Sequence, residues 1–183
     1  MTTEPAKAEL PKSPNSLRLT LWVLIIVYIF NFLDRQIVNI LAEPISRDLG
    51  LSDTQIGLMT GIAFAAFYTF LGIPIARYAD RPKTNRVGLI SVSLIIWSGM
   101  TALCGVAQNF VQLLLARIGV GVGEAGCTPA AHSLIADLAP PEKRASAISF
   151  YSLGIPIGSL LGMVIGGLVA DAYGWRAAFL IAG

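Results

Sequence analysis

Five long apolar runs constrain the fold of this sequence more than any other feature. They cover approximately residues 19–42, 55–76, 87–106, 111–138 and 145–170. A hydrocarbon core about 30 Å thick needs roughly 20 apolar residues for one helical crossing, and each run is long enough. Only 13% of the residues are charged and 55% are hydrophobic, a balance that a water-soluble domain of this size cannot bury in one core. The sequence therefore predicts an all-α membrane protein.

A sixth apolar run begins at Trp175 and includes the last residue of the sequence. Residues 175–183 supply less than half of the roughly 20 residues that a crossing needs, so we expect the chain to be truncated in its sixth helix. Residues 1–17 contain three prolines among polar and charged residues, which predicts a flexible tail. Residues 18–183 are then expected to form the transmembrane bundle.

The distribution of basic residues predicts the orientation of the helices. Nine lysines and arginines precede the first run or lie in the second-to-third and fourth-to-fifth connections, whereas the other connections contain only Arg47 and Arg176. Loops rich in lysine and arginine stay in the cytoplasm. The tail and the N-terminus are therefore expected to be cytoplasmic.

Four charged residues lie inside the apolar runs: Asp34, Arg35, Arg117 and Glu124. A charged side chain near the centre of a membrane helix costs about 2.5 to 3.5 kcal/mol on insertion scales. Each of the four therefore needs a partner of opposite charge or a water-filled cavity.

The polar residues of the first and fourth runs share one helical face in each run. At 100° per residue, the first run places four of them within roughly 140° of arc: Asn31, Asp34, Arg35 and Asn39. The fourth run places its stripe within roughly 60° of arc: Arg117, Gly121, Glu124 and Thr128. We expect both stripes to face inward and to line one cavity.

Two acids and two arginines in one cavity can compensate each other and leave a protonatable site open to solute. A carboxylate beside an arginine favours its charged form, and it binds a proton more readily once the arginine is withdrawn. We predict that Asp34 or Glu124 carries a proton, and that Arg35 or Arg117 binds an anionic group of the substrate or releases the acid. In the alternative interpretation, the four residues form fixed salt bridges that only set helix register, or Arg117 extends its long side chain to water at the outer interface.

The fifth run carries a glycine at every fourth position: Gly154, Gly158, Gly162 and Gly166. Membrane helices approach closely through small residues, so we expect another helix to pack in this groove. The alternative is that the groove lets helices slide during gating. The second run repeats the pattern with Gly57, Gly61 and Ala65, and Pro156 is expected to bend the fifth helix.

Enzymatic chemistry is not predicted. His132 is the only histidine and has no second histidine for a metal pair, so we expect it to be packed or interfacial. The sequence contains no phosphate-binding glycine loop, and Cys104 and Cys127 have no metal-ligand spacing. We therefore expect no cofactor, no metal and no nucleic acid, and an energy source that is a gradient or the substrate itself.

The connection after the second run resembles the signature loop of the major facilitator superfamily. It contains Asp80 and Arg81, with Arg86 further on, although Ala76 replaces the usual leading glycine and the glycine expected near Lys83 is missing. Three further segments resemble motifs of the same superfamily: residues 117–125, 154–158 and 174–176. Residues 31–35 together with 117–125 are most similar to bacterial members of the spinster branch.

This resemblance implies the N-terminal six-helix half of a major facilitator fold, built from two inverted three-helix repeats, in a bacterial inner membrane. The missing C-terminal half would complete a pathway that works by alternating access. Spinster relatives export lysolipids or sphingosine phosphate and are proposed to be proton-coupled. The resemblance then implies functional charges at Asp34, Arg35 and Glu124. We expect Asp80, Arg81 and Arg86 to form a cytoplasmic gate, in which Asp80 accepts backbone N–H groups at a helix start.

Two other functions remain open at the level of sequence. One is an importer of small organic anions with protons, in which Arg35 or Arg117 clamps a carboxylate. The other is a signalling or assembly protein that keeps the fold but moves nothing. The expected partners are membrane lipid, protons, an amphiphilic or anionic small molecule, and the second half of the protein.

Overall fold

The structure is a computed structural model that describes residues 14–183 of the chain, with side chains from residue 16. It contains helices and no strand in that range. The helices are α1 (Pro14–Leu49), α2 (Asp53–Gly57, a π-helical turn Leu58–Ile62, and Ala63–Ala79), α3 (Arg86–Gly105), α4 (Phe110–Leu138), α5 (Pro141–Ser152 and Gly154–Tyr173) and α6 (Trp175–Ala182). The predicted all-α fold is confirmed. Within the described range, five helices are long and apolar enough to cross a membrane, by length and composition.

The helices extend beyond the apolar runs that predict them. The first helix begins at Pro14, inside the predicted tail, because proline is well tolerated in a first turn where its missing N–H needs no partner. Residues 1–13 of that tail lie outside the described residues. At its other end α1 continues through polar residues to Leu49, and Gly50 ends it with a φ of 64°, a conformation that glycine adopts without strain.

Polar caps begin three of the helices. Ser52 accepts a hydrogen bond from the Gln55 N–H, and the Gln55 side chain accepts one from the Ser52 N–H, which forms a capping box before α2. Asn85 and Asn109 each accept a backbone N–H three residues later, at the starts of α3 and α4. These side chains satisfy N–H groups that the helices leave unpaired.

Helix α5 packs against α1 through its glycine face. A Cβ atom at Gly158 would lie 2.3 Å from the Ile29 carbonyl oxygen, and one at Gly162 would lie 2.7 Å from that of Leu33. Gly154 and Gly166 are buried on the same face. Only glycine allows the two backbones to approach this closely.

Helix α4 lies close to α3 for the same reason. A Cβ atom at Gly123 would lie 2.6 Å from the Trp97 backbone nitrogen, and one at Gly126 would meet the Ser93 hydroxyl at 2.3 Å. In α5 the helix is interrupted at Leu153, because Pro156 has no N–H to donate to the Ser152 carbonyl. The expected effect of this proline is therefore present as a break in the helix.

The small residues of α2 do not pack as the sequence suggested. Gly57, Gly61 and Ala65 are exposed, and nothing in the described residues lies within 4 Å of a Cβ built on either glycine. Helix α2 instead turns larger side chains toward α4. Met59 is fully buried, and the Phe64 ring lies 3.3 Å from a Cβ at Gly121. The face with the glycines is left open.

Candidate functional site

Two ion pairs connect α1 and α4 across the interior. The Arg117 guanidinium donates a hydrogen bond to Asp34 Oδ2 at 3.2 Å, and both side chains are almost fully buried. Arg35 Nε donates to Glu124 Oε2 at 2.7 Å, and its Nη2 lies 2.6 Å from the same oxygen. The structure thus brings together the four charges that the polar stripes predicted. We call these four residues the charge cluster.

The two pairs differ in their access to the surroundings. Glu124 is fully buried, but the side chain of its partner Arg35 is 29% exposed. Asp34 and Arg117 are only 1% and 2% exposed. The Arg35–Glu124 pair therefore has one side that a solute can reach, whereas the Asp34–Arg117 pair is enclosed by protein.

Aromatic rings surround the exposed arginine. The Arg35 guanidinium carbon lies 5.2 Å from the Phe32 ring centroid, 5.1 Å from that of Phe64 and 4.9 Å from that of Tyr68. Phe64 also lies 5.4 Å from the guanidinium carbon of Arg117. Rings at these distances attract a cation through their π faces and hold the guanidinium in place. This aromatic cage was not predicted, although Phe64 and Tyr68 are four residues apart and so share a face of α2.

Several buried polar atoms, three of them in the charge cluster, lack a hydrogen-bond partner. They are Asn31 Oδ1, Asp34 Oδ1, Thr101 Oγ1, Arg117 Nε and Glu124 Oε1. Each buried carboxylate therefore uses one oxygen in its ion pair and keeps the other free. An unpaired buried polar atom is costly and marks a place where water, a proton or a solute group can bind.

Asn31 and Asn39, the two amides of the predicted stripe, have different surroundings. Asn31 is 2% exposed and lies one turn before Asp34. Asn39 is exposed and donates a hydrogen bond of 2.9 Å to Gln36 Oε1. The structure therefore buries Asn31 one helical turn from Asp34 and leaves Asn39 exposed.

A groove between α2 and α4 leads away from the aromatic cage. Its volume is about 390 Å³, and its walls include Tyr68, Thr128 and His132. The His132 ring is exposed on one side and packs edge-on against Tyr151, with 5.5 Å between ring centroids. Tyr151 in turn stacks on Tyr28 at 4.2 Å. His132 is thus a groove residue and only partly matches the expectation of a packed or interfacial side chain.

The three predicted gate residues lie at one end of the bundle, near the end of α2. Asp80 is exposed at the C-cap, one residue beyond the end of that helix, and Arg81 lies over the Tyr78 ring at 5.7 Å. Arg86 donates hydrogen bonds to the Ala79 carbonyl at 3.0 Å and the Ser133 hydroxyl at 2.7 Å.

Arg86 also forms an ion pair with Asp137, so it connects the ends of α2 and α4 at the start of α3. Asn85, not Asp80, accepts the backbone N–H at the nearest helix start. A gating role for these residues stays a prediction.

A second polar cluster at the opposite end was not predicted. Asp48, near the end of α1, accepts hydrogen bonds from Trp175 Nε1 at 3.1 Å and from the Arg176 guanidinium. Arg176 also donates to the Ala107 carbonyl at 3.3 Å. These contacts tie α1, the α3–α4 turn and α6 together. The sequence signal was the excess of acidic residues after the first run, which alone does not identify the partner.

Comparisons with known proteins give one consistent family. Residues 24–183 match the family model described as Major Facilitator Superfamily. An MFS-type efflux pump of Mycolicibacterium smegmatis is 43% identical over 88% of this chain and 37% of its own length. A hexuronate transporter of Bacillus subtilis is 31% identical over 84% of this chain and 36% of its own length. A probable sphingolipid transporter, spinster homolog 2 of Arabidopsis thaliana, is 33% identical over 74% of this chain and 27% of its own length.

A solved structure has the same fold. It is a bacterial homolog of the human lysosomal transporter Spinster in an inward-facing, unoccupied conformation, with a TM-score of 0.85 and 40% sequence identity. The match covers 93% of this chain and 40% of that protein. The chain therefore spans less than half the length of the relatives it matches. The resemblance seen in the sequence motifs is confirmed.

Proposed function

This chain belongs to the major facilitator superfamily, and from that premise we propose that it is the N-terminal half of a proton-coupled secondary active transporter. The observation that carries the proposal is the pair formed by the fully buried Glu124 and the partly exposed Arg35. A second half would face this one across a central cavity, and the two would rock around a midplane site. In this proposal the N-terminus lies on the cytoplasmic side of a bacterial inner membrane, which the excess of lysine and arginine in the connections supports.

The coupling follows from competition for Arg35. An anionic group that enters the cavity can reach the exposed side of this arginine and draw it away from Glu124. The buried carboxylate then loses its counter-charge and is stabilised by taking up a proton. In the reverse step the anion leaves, Arg35 returns to Glu124 and the proton is released. The unpaired Glu124 Oε1 is the oxygen available for that proton.

The aromatic cage supports a solute with both an anionic and an apolar part. Phe32, Phe64 and Tyr68 place apolar ring surface around the guanidinium that would bind the anion. Such a site suits amphiphiles, the class that the spinster relatives' names suggest, and also organic anions such as the solute named for the hexuronate transporter. We propose an amphiphilic or anionic small molecule as the substrate.

The direction of transport depends on the charge that the solute presents. An anion that binds Arg35 favours proton binding at Glu124, so anion and proton cross in the same direction. A cationic group that binds the Glu124 carboxylate competes with the proton and produces exchange, as export from a bacterial cell requires. The 43% identity to an efflux pump favours the second case for a zwitterionic amphiphile such as a lysolipid.

The test uses the parent protein that contains both halves, reconstituted in proteoliposomes with an imposed pH gradient. Glu124→Gln keeps the size of the side chain and removes its titratable proton. Gradient-driven flux should therefore fall to background. Exchange at equal pH should persist for a solute that binds through Arg35 and should be lost for one that binds the carboxylate through a cationic group. Asp171→Asn changes an exposed carboxylate at the end of α5 and is the matched control.

Lysolipid and organic-anion flux are measured on the same vesicles. Lysolipid flux in the direction opposite to the proton flux supports the exporter. Organic-anion flux in the same direction as the proton flux supports the importer. Gradient-driven flux that is unchanged in Glu124→Gln would show that this carboxylate does not couple the proton. No flux of any solute in the wild type would favour a signalling or assembly protein.

A further inference from the structure

His132 continues the polar face of α4 beyond Glu124. It is the only histidine in the chain and takes no part in the charge cluster. Glu124, Thr128 and His132 follow each other at four-residue intervals, within about 80° of helical arc. At 1.5 Å per residue, the Cα atoms of Glu124 and His132 are about 12 Å apart along the helix axis. The three residues thus form a line from the ion pair toward the cytoplasmic end of α4.

The groove along this line can hold water. Its volume of about 390 Å³ is many times the share of roughly 30 Å³ that one water molecule takes in the liquid. The Tyr68 ring stacks on Arg35 at the inner end of the groove, and His132 lines the groove further along α4. The side chains of Tyr68, Thr128 and His132 supply hydroxyl and imidazole groups that can hydrogen-bond to that water.

The surroundings of His132 contain no charged partner that would fix its protonation state. Tyr151 from α5 contacts the ring, Tyr28 from α1 stacks behind Tyr151, and Tyr68 from α2 shares the groove. The ionisable groups on its own helix are Arg117, Glu124, Cys127 and Asp137, and Asp137 is paired with Arg86. None of the ion pairs among residues 16–183 includes His132. No ion pair in that range therefore holds the imidazole in its charged form.

We propose that His132 relays the proton between Glu124 and the cytoplasm. The relay rests on the proposed proton coupling. When Arg35 returns to Glu124, the carboxyl proton passes through the Thr128 hydroxyl and groove water to an imidazole nitrogen of His132. The imidazolium then gives up a proton to water on the cytoplasmic side and becomes neutral again. Imidazole suits this step because it gains and loses a proton readily near neutral pH.

The test separates net proton movement from solute exchange in the parent protein. His132→Gln removes the titratable group and keeps a polar side chain. We expect gradient-driven flux to fall about a hundredfold or more, in line with the usual effect of removing a proton-transfer group. Solute exchange at equal pH should stay within about twofold of wild type, because exchange needs no proton to leave Glu124. Phe70→Leu, at a ring that is 79% exposed on α2, is the control and should change neither.

A titratable replacement tests the chemistry of the relay. His132→Glu should restore most of the gradient-driven flux, with a pH optimum below that of wild type, because a carboxylate exchanges protons at lower pH. Equal loss of driven flux and exchange in His132→Gln would assign a structural role and overturn the relay. Undiminished driven flux in this variant would also overturn it. A wild type without any gradient-driven flux would instead refute the proposed coupling itself, and the relay with it.

Discussion

The glycine face of α5 makes a quantitative prediction about the stability of the α1–α5 contact. In Gly158→Ala the new Cβ would lie 2.3 Å from the Ile29 carbonyl oxygen, and real Cβ contacts are rarely shorter than 3.0 Å. The two backbones must therefore separate by most of an ångström along a closely packed interface. Overpacking costs typically about 1 to 3 kcal/mol, and because the obstacle is backbone we expect a loss near about 3 kcal/mol. Such a loss raises the unfolding constant by roughly 150-fold.

The same helix provides a graded series and a control. Gly166→Ala would meet only the Ile37 side chain, at 2.9 Å, so a smaller loss of about 1 kcal/mol is expected. Nothing lies within 4 Å of a Cβ at Gly167, where alanine should be neutral or should stabilise the helix by up to about 1 kcal/mol.

Detergent-induced unfolding of the parent protein, followed by circular dichroism, measures all three variants. If Gly158→Ala were as stable as Gly167→Ala, the close contact between α1 and α5 would be refuted.

Three further experiments test the contacts of the charged side chains. Asp34→Asn leaves Arg117 buried without a counter-charge and should lower the free energy of unfolding by about 3 to 5 kcal/mol. The double variant Asp34→Asn/Arg117→Leu should recover part of this loss. The same unfolding assay measures both variants. Arg86→Gln should lower the thermal midpoint more than Asp137→Asn, because Arg86 also holds the Ala79 carbonyl; equal midpoints would contradict this. Phe64→Leu removes a ring that faces both arginines and should weaken solute binding, measured by equilibrium dialysis, without abolishing it.

The number and type of the helices could be predicted from sequence because lipid imposes one requirement on every crossing. Backbone groups must be paired internally, so an apolar run of sufficient length becomes a helix. The ends were less predictable, because helices continue into water as long as caps and polar residues sustain them. The additional turns of α1 up to Leu49 are of this kind. Helix packing also needs a second helix, which explains why the small residues of α2 suggested a contact that the described residues do not make.

The helical faces that carry the four charged residues could be predicted from the sequence, but the pairing of each acid with its arginine could not. Residue spacing fixes the direction in which Asp34, Arg35, Arg117 and Glu124 point from their own helices. Which acid meets which arginine depends on the relative height and rotation of α1 and α4, and these follow from the close contacts of α4 with its neighbours. The aromatic cage escaped prediction for a related reason, because Phe64 and Tyr68 come from α2 and read as ordinary apolar residues of a membrane helix.

The unequal burial of the two ion pairs suggests a division of roles that neither pair could perform alone. Both partners of the Asp34–Arg117 pair are almost fully buried, so a bulky solute does not reach them, and breaking the pair would leave a buried charge. Such a pair is suited to holding α1 and α4 in register. The Arg35–Glu124 pair combines a buried acid with an arginine that the cavity can reach, so a solute can break it without entering the core. In the proposed mechanism, the enclosed pair would keep the two helices in place while Glu124 gains and loses its proton.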